Sequence, residues 1–162
     1  NNAGFDVQRR AGGDAAARWE QIGRVNGAGT TTDAQSYRFV DRSLPFAADA
    51  LTYRLKQVDT DGSSHVSETI TVARTVEAVT LRNVYPNPAR GPVTVQYAVP
   101  ESQPVSLRLY DVLGRQVRTL VESNQQGRQE VKLDVSGLTS GLYFLRLQAG
   151  RTVKTQRLTV TR

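Results

Sequence analysis

The sequence predicts an all-β chain of two tandem immunoglobulin-like β-sandwiches, the first incomplete at about five strands and the second complete at about seven. Three observations carry this. Short runs alternate apolar and polar residues at a period of two; Gly, Pro, Asn and Asp punctuate them at sandwich-like spacing; helical periodicity is nearly absent.

In the first half the predicted strands are Phe5 to Arg9, Trp19 to Val25, Tyr37 to Val40, Leu51 to Val58 and Val66 to Ala73. Leu51, Tyr53 and Leu55 take one face while Thr52, Arg54 and Lys56 take the other, and Ile70 and Val72 repeat the pattern after a turn. That turn is Asp59-Thr60-Asp61-Gly62, where Gly62 supplies positive φ and the aspartates cap the backbone. In the second half the predicted strands are Val79 to Val84, Val93 to Val99, Val105 to Tyr110, Gln116 to Val121, Gln129 to Val135, Leu142 to Gln148 and Val153 to Thr161. Tyr85-Pro86-Asn87-Pro88 ends the first of these, because two prolines so close stop strand pairing. The expected domains are 1–78 and 79–162.

The chain has 162 residues, 38% hydrophobic and 22% charged, the balance of a folded protein and not a disordered tail. Two domains of about 80 residues would each bury only about 60% of their unfolded surface, so each depends on complete strand pairing. No cysteine is present, which removes disulfides, thiolate nucleophiles and zinc–thiolate sites. No apolar run approaches the roughly 20 residues of a membrane span. The chain opens at Asn1 without a methionine or a leader, so it is expected to be the C-terminal region of a larger exported protein. Residues 1–78 carry nine Lys and Arg against ten Asp and Glu, whereas residues 79–162 carry twelve against five. A basic second half suits an acidic protein partner, an anionic polysaccharide, a lipid headgroup or nucleic acid, and charge does not choose among them.

No catalytic, cofactor-binding or metal-binding residue is assigned. His65 beside Ser63, Ser64 and Ser67 lies in a polar turn, without the water-excluding pocket that nucleophilic catalysis needs. Asp59, Asp61 and Ser63 have the opening spacing of a calcium loop, but Ile70 falls where its last carboxylate belongs. Gly27-Ala28-Gly29-Thr30-Thr31-Thr32 lacks the lysine and the strand-to-helix step of a phosphate cradle. Trp19 is expected in the core near Ile22 and Val25. Nucleic-acid binding is not expected, because Tyr110, Tyr143 and Phe144 fall in motifs explained by packing.

Four stretches carry a family resemblance: Val84-Tyr85-Pro86-Asn87-Pro88-Ala89; Leu109 to Val117; Leu138-Thr139-Ser140-Gly141-Leu142-Tyr143-Phe144-Leu145; and Val153-Lys154 with Leu158 and Val160. In order and spacing, the second half resembles the C-terminal sorting domain of type IX secretion cargo from Bacteroidetes-like bacteria. The resemblance implies passage across the outer membrane, docking on the secretion apparatus, and processing by a sortase-like protease that joins the cargo to the cell surface. It implies no catalysis and no cofactor. The sorting-motif residues are Tyr85, Pro86, Asn87, Pro88, Asp111, Gly114, Arg115, Val117, Gly141, Tyr143, Lys154 and Arg157. Lys154 and Arg157 are the candidates for direct recognition, since an apparatus that reads a C-terminus needs accessible groups there.

The first half resembles a fibronectin type III-like domain that precedes such sorting domains, through Asn2 to Arg9, Gly27 to Thr31 and Tyr53 to Gly62. Phe5 to Arg9 would then be its third strand, leaving Phe5, Val7 and Arg9 on an edge that accepts another strand. Two rival readings follow: a fibre subunit forming a homo-oligomer by strand addition, and a carbohydrate-binding accessory module built around Trp19.

Overall fold

The computed structural model describes residues 1–12 and 17–162, which fall into two compact units, 1–74 and 75–162. The fold is all-β, and every pairing between named strands is antiparallel.

The first unit is one sheet of β1 (Asn2–Ala11), β2 (Glu20–Gly29), β3 (Ala50–Asp59), β4 (Ser64–Val66) and β5 (Ile70–Ala73). The order is β2-β1-β3-β4, with β5 also on β3. β1 is therefore an interior strand, and the expectation of an open acceptor edge at Phe5, Val7 and Arg9 is corrected. Val7 pairs with Gly23 on one side and Leu55 on the other. A strand with an apolar face and no proline has nothing to oppose pairing, and here both flanks are taken.

Two further expectations change. Tyr37 to Val40 forms no strand; it crosses one face of the sheet and is held by side chains. The Tyr37 ring meets Phe5 edge-on at 5.1 Å, Phe39 lies over Gly23, and Asp41 reaches Arg9. Alternation of Tyr37, Phe39 and Asp41 is strand-like because the segment runs above a strand, not beside one. Val66 to Ala73 divides into β4 and β5 because the Ser67 hydroxyl accepts the Leu55 N–H at 2.9 Å, in place of a backbone carbonyl. Among the described residues no second sheet covers this unit. Ile70 is 69% exposed and Val72 47%.

The second unit contains β6 (Thr80–Leu81), β7 (Val93–Asp111), β8 (Gln116–Leu133), β9 (Gly141–Ala149) and β10 (Thr152–Val160), in the order β10-β9-β7-β6 with β8 also on β7. Each of the seven predicted runs is present, but four of them belong to two long strands. β7 and β8 pair from Val93↔Leu133 to Tyr110↔Gln116, with the register broken between Val99 and Gln103. There β7 spends two extra residues, and Gly127 opposite takes a φ of 75°. The bend folds the hairpin over itself. Val95, Val99, Leu107, Leu109, Leu145, Leu147 and Leu158 thereby meet in one core, each wholly buried. At about 1.5–3 kcal/mol per such side chain, this core dominates the unit's stability. Gln156 of β10 donates to the Leu81 carbonyl of β6 at 3.1 Å, tying the two ends of the strand order together.

Candidate functional site

The motif residues of the second unit gather at one end of its fold. Asp111 pairs with Tyr143, Tyr143 with Leu158 and Gly141 with Val160, so the turn after β7, the start of β9 and the end of β10 are neighbours. Ala89 bridges to Val160 in parallel and adds the proline segment to the same end.

Asn87 is the centre of that addition. Its side-chain N–H donates to the Arg157 carbonyl at 2.9 Å, and its side-chain oxygen accepts the Thr159 N–H at 2.9 Å. Ala89 continues the pairing: its N–H donates to the Thr159 carbonyl and its own carbonyl accepts the Thr161 N–H, both at 2.8 Å. Pro86 and Pro88 have no N–H to offer a ladder, and the Asn87 amide supplies the missing donor and acceptor. The Tyr85 ring stays 77% exposed, while its backbone exchanges two hydrogen bonds with Thr94.

Asp111 organises the turn. One carboxylate oxygen accepts the N–H groups of Leu113 and Arg115 at 3.0 and 2.9 Å, and the other accepts Arg115 Nε at 2.8 Å. The Arg115 backbone N–H is the main reason that the Asp111 carboxyl is held below its ordinary range. Gly114 has a φ of 75°, which the turn requires and a side chain resists. This geometry lifts Val112 and Leu113 into solvent, 62% and 74% exposed.

Tyr143 is buried, and its hydroxyl donates to the Thr139 carbonyl at 2.9 Å, pinning the loop ahead of β9. Gly141 opens β9 without positive φ. A cleft of about 440 Å³ lies between this loop and the turn, lined by Val112, Leu113, Arg115 and Val117 on one side and Leu138 to Tyr143 on the other. The structure thus brings Asp111, Arg115, Val117, Gly141 and Tyr143 together, with Asn87 close in register.

Lys154 and Arg157 stand apart from the cleft and from each other. Both are exposed on β10, but three positions separate them, so they point to opposite faces of the strand. The strand itself is divided. Thr152 to Thr155 are exposed at every position, whereas Leu158 and Val160 are in the core.

The other candidates are scattered over the first unit. Trp19 leaves its expected place in the core: it lies half-buried under Arg54 and Arg10, whose guanidinium carbons sit 4.1 and 4.8 Å from its ring centroid. His65 is exposed on β4, and Asp61 caps Ser63 within the turn. Arg9 is buried and bonds to Asp41 and Glu20, both at 2.8 Å. Burial pushes Asp41 up, yet donation by Arg9, the Ser43 N–H and the Tyr53 hydroxyl outweighs it and leaves the carboxyl below its usual range. Nothing in the local sequence announced that cluster or the Asn87 clamp, since the partners are 32 and 72 residues apart.

The family model described as "Secretion system C-terminal sorting domain" matches residues 83–161. These residues are a C-terminal sorting domain. It spans β7 to β10 together with the Asn87 clamp, and it is of the type IX kind that the motifs resemble. A sorting domain addresses its protein for export, so the chain is secreted or held at the cell surface, and the signal implies contact with the secretion machinery. Families of this kind are signals and not catalysts. Among the described residues, no helix is long and apolar enough to cross a membrane. No curated protein matches the chain. Among solved structures, the crystal structure of dimeric latent PorU from Porphyromonas gingivalis is similar over 96% of this chain and 16% of that one, at 17% identity and a TM-score of 0.42. The chain thus spans about 16% of that protein's length.

Proposed function

We propose that the sorting domain acts by docking alone: it presents a folded address to the type IX outer-membrane apparatus and then to a sortase-like protease, which joins the cargo to the surface. The first unit serves as a fibronectin type III-like spacer, and neither unit performs catalysis or needs a cofactor. One observation carries the reading. The motif residues divide into buried or hydrogen-bonded staples, Asn87, Asp111 and Tyr143, and groups which those staples hold in solvent, Val112, Leu113, Arg115 and the first half of β10. A docking module needs that division, since exposed apolar residues mark contact surfaces when a rigid scaffold fixes them.

The test fuses the whole chain behind a periplasmic reporter in a host with this pathway. The chain is expected to carry the reporter outside. Removing Val153 to Arg162 deletes Leu158 and Val160 from the core and abolishes delivery. Val112→Ser with Leu113→Ser leaves the fold intact and lowers delivery. Equal delivery with and without residues 75–162 would refute the proposal.

A further inference from the structure

Resting on the sorting reading, we infer that the first half of β10, Thr152 to Gln156, is an acceptor edge for an extended acidic segment of a partner protein, which adds to the sheet as a further strand. β10 lies at the end of the strand order and pairs with β9 without a register break from Thr152↔Ala149 to Val160↔Gly141. Along an antiparallel strand, alternate residues direct both N–H and C=O away from the neighbour. The bonds to Asn87 and Ala89 identify the outward set: the Arg157 carbonyl, both backbone groups of Thr159, and the Thr161 N–H. By the same alternation Thr155 and Val153 face outward as well, and among the described residues nothing pairs with them.

The proline segment therefore occupies the outer edge from Arg157 onward and stops. What remains is a short ladder with no bulge and no proline, whose side chains from Thr152 to Thr155 are exposed on both faces. Such an edge is a ready template for strand addition. Charge selects the occupant. Arg151, Lys154 and Arg157 flank the free ladder, and among the described residues none of them pairs with a carboxylate. An acidic segment gains attraction there, whereas a second copy of this basic strand meets like charge.

The experiment uses the same full-length reporter fusion. Thr155→Pro removes an outward N–H and leaves the ladder to β9 whole, because Thr155 directs neither backbone group toward it. Delivery of this variant is expected to fall about tenfold, the effect of one lost charge-independent bond and a steric block on the added strand. Lys154→Glu with Arg151→Glu, which leaves the backbone untouched, should lower delivery as well, and it decides the matter if the proline variant fails to fold by chemical denaturation. Wild-type delivery matched by both variants overturns the inference and leaves the sorting function standing. Failure of the wild-type chain to deliver removes the sorting reading and this inference with it. A concentration-dependent dimer of the purified chain that Thr155→Pro abolishes would assign the edge to a second copy and overturn the acidic-partner assignment.

Discussion

The side chain of Asn87 and the backbone of Thr159 are joined across 72 residues by a 2.9 Å hydrogen bond, so that an asparagine between two prolines acts as a strand for the end of the chain. The second bond, from the Asn87 amide to the Arg157 carbonyl, makes the arrangement bidentate. Asn87→Ala is expected to destabilise the second unit by about 1–2 kcal/mol, the worth of two partly exposed hydrogen bonds. Asn87→Asp keeps the acceptor for Thr159 but sets an oxygen against the Arg157 carbonyl, so it should rescue little. Urea denaturation of the full chain measures both.

Tyr143→Phe isolates the loop ahead of β9. The ring stays in the core while the hydroxyl's bonds to the Thr139 carbonyl at 2.9 Å and to the Thr139 hydroxyl at 3.0 Å are lost, at a cost of about 1–2 kcal/mol. Faster amide exchange confined to residues 137–141 should accompany it. A loss above about 3 kcal/mol would mean that the ring itself had moved.

In the second unit the sequence made nearly every strand legible, since Val93, Val95, Tyr97 and Val105, Leu107, Leu109 alternate as core-facing residues should. What it concealed was continuity. The predicted strands Val93 to Val99 and Val105 to Tyr110 are one: Pro100 and Pro104 lie in and beside the irregular stretch where β7 bends, and there a proline costs no regular ladder bond. The polar run Glu122 to Arg128 falls between two predicted strands, but β8 is an edge strand that among the described residues pairs only with β7, so the side chains of that run largely face solvent without ceasing to pair. In the first unit β1 was recognisable as a strand, but its place in the interior was not, because pairing order depends on segments distant in sequence. Within the site, Gly114 and Asp111 were readable because a turn is local; Asn87 was visible only as part of a motif.

The first unit offers its own test at Gly23. A Cβ built there would run into the far edge of the Phe39 ring, so Gly23→Ala must displace that ring from the sheet. A loss of about 1–3 kcal/mol is expected. Combined with Phe39→Leu, the loss should be smaller than the sum of the single changes, and a double-mutant cycle on melting curves checks this. Strict additivity would place Phe39 elsewhere.

Asp41 makes the same segment sensitive to acid. Its folded pKa is depressed, so the stability it contributes is fully present above its unfolded value of about 3.9 and is lost as pH falls through the lower folded value. Among the described residues, Asp41→Ala leaves the buried Arg9 with the exposed Glu20 as its one ionic partner, and it should cost about 3 kcal/mol at neutral pH. The gap between wild type and variant should narrow progressively as pH falls below the unfolded value. A gap that stays constant throughout the acid titration down to unfolding would show that the carboxylate charge is not what holds the segment.

Residue-resolved amide hydrogen exchange along β10 addresses the central claim most directly. Among its outward-facing amides, Val153, Thr155 and Arg157 should exchange quickly, while Thr159, bonded to Asn87, and Thr161, bonded to Ala89, should be protected by about tenfold or more. That boundary within one strand is what a half-clamped, half-available terminus predicts. Uniform protection from Val153 to Thr161 would mean that the terminus is sealed, and uniform rapid exchange would mean that Asn87 clamps nothing; either result contradicts the account.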